Sequence, residues 1–293
     1  MSKEKITSEE LKNKNTVNIN GYAKDFSDYT FWYYTRIQTV EKILVNQCIF
    51  VNNLCGMNDL DECNLHEDDK DKVHCLCFCN SNSEKIPMWY LYSGIAGQGC
   101  SLGITPGLML KFIRSIKEVK VPDTNVVLRI GKDFDIEYGW VYYQNAQNST
   151  QVRYRNKWYE VVDAENFVKE NYFVKSYPWE YEREFRIVFH NKTETVYDKI
   201  SVDISILVGE LKLKVAPEFP DEIQKSDLPY DGLEAIESKK FSHSALKVRM
   251  ALFNRNYDSF VDYINTNRDT ISTDNICSLC KAINCQNNKC KRN

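Results

Sequence analysis

The chain contains no long apolar run. Nothing approaches the roughly 20 consecutive apolar residues that span a bilayer, so no membrane-spanning helix is expected. It has no excess of basic residues either. Lys and Arg number 38 against 41 Asp and Glu, a net charge of −3, which excludes a global positive field holding nucleic acid non-specifically. The opening stretch, MSKEKITSEELKNKN, lacks the apolar core of a secretory signal. A cytoplasmic protein is expected. No internal repeat is visible, and Gly94, Gly97 and Gly99 precede a strand rather than linking a strand to a helix, so they form no dinucleotide fingerprint. A disulfide scaffold is also unexpected. The 11 cysteines are an odd number, and seven precede residue 101; these read as free thiols in a reducing compartment.

What is present is enough for a substantial core. At 293 residues, 43% hydrophobic and 27% charged, the chain suits one large or two medium globular domains. Aromatics are plentiful, mostly through 18 Tyr, which combine apolar bulk with a polar handle. Acidic residues concentrate at Asp59–Asp71, read as a solvated loop.

Taken in order, residues 1–20 are polar and expected to be frayed or loosely helical. A strand is predicted at Phe31–Thr35. A helix with Ile37, Val40, Ile43 and Leu44 on one face follows, then a strand at Cys48–Val51. Val73–Cys79 reads as a strand with Cys75, Cys77 and Cys79 on one face, better explained as small buried apolar residues than as a metal site. Pro87–Tyr92 is a short helical turn, and Cys100–Ile104 a strand. Thr105 and Pro106 open a helix buried through Met109, Phe112, Ile113 and Ile116. Strands are predicted at Asn125–Ile130, Phe134–Tyr143, Ile200–Val208 and Leu211–Val215. Helices are predicted at Trp158–Tyr172, Ser244–Asn254 and Tyr257–Asn267, with a loop over 217–233. The body is a strand-rich α+β fold without βαβ regularity.

The segment Tyr172–His190, YFVKSYPWEYEREFRIVFH, is the expected working centre. A strand beginning near Tyr181 places Glu182, Glu184, Arg186 and Val188 on one face, and Phe185, Ile187 and Phe189 on the other. Two carboxylates and a guanidinium then stand at the mouth of a core strand. The alternative is a solvated edge with an internal Glu–Arg pair.

A composition change near residue 271 marks a tail. Cys277, Cys280, Cys285 and Cys290 are spaced as in a zinc knuckle, with Cys where the knuckle has His. Four thiolates suit one tetrahedral structural zinc. The glycines and the aromatic by which knuckles grip single-stranded nucleic acid are missing.

Three blocks in order resemble the bacterial domain-of-unknown-function family 2971. They are Phe31–Asp59; HCLCFCNSNSEKIPMWYLYSGIAGQGCSLGI; and FVKSYPWEYEREFRIVF. The resemblance spans roughly residues 30–250, departing at Asn58-Asp59-Leu60, where the family commonly has Asn-Asp-Pro. The layout is more distantly similar to compact ADP-ribosyltransferases, especially those modifying DNA bases, although these often carry His or Arg where this chain has Tyr33-Tyr34-Thr35.

The second similarity implies an ADP-ribosyltransferase-like core with NAD as substrate. It implies a toxin or phage-defence effector acting on nucleic acid or protein, and an antitoxin or immunity partner. Glu184 would stabilise the ribosyl cation, and Glu182 would orient or deprotonate the acceptor. Tyr33, Tyr34, Trp89 or Tyr92 would stack on nicotinamide, Thr35 would join the cofactor wall and Arg36 would contact pyrophosphate. Arg186 is read as structural. Core packing is the competing explanation for the aromatics.

The expected layout is therefore a polar segment 1–25, an α+β catalytic-type domain 26–240, a helical extension 241–270 and a four-cysteine, zinc-knuckle-like tail 271–293. Other readings of the same cleft are a hydrolase acting on NAD or nucleic acid, and a non-catalytic binding module.

Overall fold

The computed structural model describes residues 4–15, 30–57, 62, 66, 69–80, 86–92, 99–145, 147–169, 171–215 and 234–237. The expected helices at Ser244–Asn254 and Tyr257–Asn267, the 217–233 loop and the cysteine tail lie outside the described residues, as does most of the Asp59–Asp71 segment.

The architecture is α+β, built on three sheets. Its strands in chain order are β1 (Glu4–Ile6), β2 (Phe31–Arg36), β3 (Cys48–Asn52), β4 (Val73–Asn80), β5 (Gly99–Ile104), β6 (Glu118–Lys120), β7 (Val127–Arg129) and β8 (Phe134–Trp140). They continue with β9 (Tyr142–Asn145), β10 (Asn148–Tyr154), β11 (Lys157–Val161), β12 (Val174–Ser176), β13 (Glu184–Asn191), β14 (Lys199–Asp203), β15 (Lys212–Val215) and β16 (Glu234–Glu237). Helices are α1 (8–15), α2 (Ile37–Asn46), α3 (Ile86–Tyr92), α4 (Pro106–Ser115) and α5 (Ala164–Lys169).

The central sheet has seven strands in the order β16-β15-β5-β2-β4-β13-β8; flanking sheets run β3-β14-β6-β7 and β1-β11-β10-β9-β12. Both faces of the central sheet are covered. Phe185, Ile187 and Phe189 of β13 join a core with Val40, Ile43 and Leu44 of α2, Phe112 and Ile113 of α4, and Ile200 and Val202 of β14. Val188, on the other face, joins Tyr142, Val152 and Val161 of the five-stranded sheet and Phe167 of α5. The two-residue alternation thus holds from Glu184 onward. The strand is not an edge, however, because β4 and β8 pair with it on either side.

Several local expectations are corrected. The helix predicted over Trp158–Tyr172 is instead strand β11 followed by the short α5. The reason is the turn at Arg155 and Asn156, with φ of 49° and 69°, which pairs Tyr154 with Lys157 and commits Trp158–Val161 to a hairpin. The expected strand Ile200–Val208 stops at Asp203, and a 3-10 turn occupies Val208–Glu210. The N-terminal segment is not wholly frayed. β1 pairs in parallel with β11. Thr7 and Glu10 form a reciprocal cap: Glu10 N donates to Thr7 Oγ1 at 3.2 Å and Thr7 N to Glu10 Oε2 at 2.9 Å. Asn15 then exchanges two 3.1 Å hydrogen bonds with the Trp140 backbone, tying α1 to the central sheet.

Candidate functional site

The chain enters β13 through a 3-10 turn, Tyr177–Glu182, opened by Pro178. Arg183 ends it in the left-handed region, φ 45°, a conformation that costs a non-glycine residue about 1–2 kcal/mol. Its neighbours hold it there: Asn80 N donates to Arg183 O at 3.0 Å and Val141 N to Glu184 O at 2.9 Å. With that residue reversed between them, Glu182 and Glu184 converge although they belong to different elements.

They converge on Lys175. Its ammonium donates to Glu182 at 2.6 Å and to Glu184 at 3.2 Å. Lys175 sits on β12, in register with Tyr143 of β9, so it reaches from the five-stranded sheet to the central one. Arg186, two residues along β13, donates through Nε and Nη2 to Glu184 and through both terminal nitrogens to Glu62. The Tyr92 hydroxyl closes the far side, donating to Glu182 at 2.6 Å, and Trp179 covers Lys175 with its ring centroid 4.7 Å from Nζ. Glu62, Lys175, Glu182, Glu184 and Arg186 are all buried, at 4% exposure or less. The solvated edge pair is therefore ruled out.

Three carboxylates against two cations leave one uncompensated negative charge if every group ionises. Burying such a charge is costly, so the group binds a proton readily. Burial pushes Glu182 up to about 7, with Glu184 adding to the rise and Lys175 opposing it. Glu184 is also penalised by burial, but Arg186 and then Lys175 outweigh that and hold it well below the ordinary carboxylate range. Two neighbouring carboxyls thus have opposite tendencies.

A cavity of about 260 Å³ opens beside them. It exists because β2 pairs with β4 only at Phe31–Asn80 and Trp32–Cys79. Beyond that point β2 stays on β5 and β4 stays on β13, and the sheet parts. Tyr33, Tyr34, Cys77, Tyr92, Lys175, Glu182 and Glu184 all line this gap. A second cavity, about 940 Å³, shares Glu184 and is bordered by Asn80, Trp140, Tyr143, Arg153, Arg155 and Arg183.

The anticipated residues divide accordingly. Glu182, Glu184, Tyr33, Tyr34 and Tyr92 share the smaller cavity. Register places Trp32 and Tyr34 on the sheet face of Glu184, through Cys79, and places Tyr33 and Thr35 on the opposite face; Tyr33 borders the gap from that side. Trp89 is 1% exposed and packs edge-on against Tyr34 at 4.7 Å, lining neither cavity. Thr35 and Arg36 also line neither.

Cys277, Cys280, Cys285 and Cys290 lie outside the described residues; among the described residues no cluster of His, Cys, Asp and Glu is arranged to hold a metal. Cys75, Cys77 and Cys79 take part in no disulfide. The parts not anticipated are Lys175 and Glu62. Lys175 stands in the same sequence block as the glutamates, whereas Glu62 belongs to the acidic stretch and carries no local signal. No family model and no curated protein matches this chain.

Proposed function

We propose that the protein is an ADP-ribosyltransferase-like enzyme that breaks the nicotinamide–ribose bond of NAD and passes the ribosyl group to an acceptor, nucleic acid or protein. The observation carrying this reading is the Glu182–Glu184 pair, with one carboxyl kept ionised and the other titrating near neutrality beside an aromatic-lined cavity. A fixed negative charge stabilises an oxocarbenium-like centre, and a carboxyl of mid-range pKa moves a proton.

In the step so described, the C–N bond breaks with its electron pair going to the pyridinium nitrogen, and neutral nicotinamide leaves. The Glu184 carboxylate faces the cationic ribose carbon. A lone pair of the acceptor forms the new bond there, and its proton passes to the Glu182 carboxylate.

The smaller cavity suits a ring and a sugar. The larger one, with Arg153, Arg155 and Arg183 on its border, has room and positive charge for the phosphates. Those arginines take the place of Arg36, which lines neither cavity. A role as a toxin or phage-defence effector, and a structural zinc in the Cys277–Cys290 tail, complete the proposal.

Labelled NAD tests it. Label transferred to nucleic acid or protein supports the transferase. Free ADP-ribose alone supports a hydrolase. Neither product, with no thermal stabilisation by NAD, leaves a binding module.

A further inference from the structure

Lys175 is the cation between the two carboxyl groups of the site. Lys175 is 4% exposed and its ammonium lies 2.6 Å from Glu182 and 3.2 Å from Glu184. Arg186 cannot replace it, because its guanidinium is divided between Glu184 and Glu62 and contacts no oxygen of Glu182. Among the described residues, Lys175 is therefore the cation held by both carboxyl groups.

Its position is enforced from three sides. β12 fixes its backbone against Tyr143 of β9, and Trp179 covers the ammonium with its ring at 4.7 Å. The third side is the pair of glutamates. A desolvated cation so confined exerts a field that water does not screen.

We propose that Lys175 is a positioning residue for the reaction inferred above: its ammonium, shared between Glu182 and Glu184, fixes both carboxyl groups and favours the ionised, proton-accepting form of Glu182, while Arg186, bonded to Glu184 and not to Glu182, sets the two apart. This rests on the transferase reading for its consequence, though not for its geometry. The other groups facing the pair are Tyr92 from α3, Tyr143 from β9, Cys75, Cys77 and Cys79 from β4, Glu62, and Arg186 from β13 itself, while Arg153, Arg155 and Arg183 border the larger cavity that Glu184 also lines. Arg186 is the cation bonded to Glu184 beside Lys175, and it does not touch Glu182. The thiols and phenols nearest the cluster, Cys75, Cys77, Tyr92 and Tyr143, are pushed upward by burial and stay neutral near pH 7.

The test uses the full-length protein with Lys175→Met and Lys175→Arg. Two readouts are followed against pH: NAD cleavage, and the carboxyl resonances of Glu182 and Glu184 by carbon-13 NMR. In Lys175→Met the Glu182 midpoint and the acid limb of kcat/KM move upward together, by about one to three pH units, the effect of deleting an opposite charge in contact. Lys175→Arg restores the limb toward its wild-type place. An unmoved Glu182 midpoint in Lys175→Met overturns the proposal.

If the wild-type protein leaves NAD intact, the transferase reading fails while the NMR arm still decides the role of Lys175. If Lys175→Met does not fold, the wild-type ammonium resonance serves instead. It should respond at the Glu182 midpoint, and a response there absent or independent of Glu182 overturns the proposal.

Discussion

The guanidinium of Arg186 and the carboxylate of Glu62 meet in the protein interior across 124 positions of sequence, with one of their hydrogen bonds at 3.0 Å. Arg186 is 0% exposed and Glu62 1%. Its Nη1 also donates to Tyr172 O at 2.7 Å.

Arg186→Met should be strongly destabilising, because it strands Glu62 and Glu184 as buried charges. A loss of about 3–5 kcal/mol is expected. Adding Glu62→Gln should recover part of it. Urea unfolding of the two single variants and the double variant measures the coupling, and strict additivity would contradict the pairing described.

Glu184→Gln keeps the shape and removes the charge. NAD cleavage should fall by about 10²-fold or more, checked by label release under single-turnover conditions. Activity near the wild-type level would remove Glu184 from the reaction.

The pH dependence of stability separates the two glutamates. Glu182 is raised from 4.5 to about 7, so its contribution is fully present below about pH 4.5 and is lost as pH rises through 7. That amounts to about 3 kcal/mol at most. Glu184 is depressed, so its contribution is present above pH 4.5 and is lost as the solution becomes more acid. Glu182→Gln should therefore flatten the stability curve between pH 4.5 and 7, as followed by urea unfolding across that range. If the transferase reading holds, it also removes the acid limb of activity near pH 7.

Gly103 stands opposite Trp32 in the β2–β5 pairing, and a Cβ there would lie 2.6 Å from the indole. Gly103→Ala should cost about 1–3 kcal/mol through overpacking. It should also displace Trp32 at the border of the smaller cavity, visible as a change in tryptophan fluorescence. An unchanged spectrum and melting temperature would contradict this packing.

The tail makes a separate prediction. Truncation after residue 270 should remove about one zinc per chain, the content of a single four-thiolate site, as read by metal analysis of both purified forms. Equal zinc in the two forms would end the assignment.

By itself the sequence determined where the core strand lies, although it begins at Glu184 and not near Tyr181, Glu182 belonging to the preceding 3-10 turn. Phe185, Ile187 and Phe189 alternate with Glu184, Arg186 and Val188, and a period of two is a property of the local chain. The helix carrying Val40, Ile43 and Leu44 was legible for the same reason, at a period of 3.6. Periodicity failed at Trp158–Tyr172, where the Arg155–Asn156 turn and a neighbouring strand decided the conformation. It also missed the Thr7–Glu10 cap, whose signal was present but faint.

Only the tertiary structure decided which charges meet. Glu62, Tyr92 and Lys175 approach Glu182 and Glu184 because β4, β12, β13 and α3 bring distant segments together around one buried volume. Burial then sets protonation, since the energy of a charge depends on every neighbour in space and not on its neighbours in the chain. A Glu-x-Glu-x-Arg motif does not indicate whether its carboxyls share a cation or which one keeps the proton. The ammonium of Lys175 held between the two glutamates answers the first point, and Arg186, bonded to Glu184 and not to Glu182, answers the second.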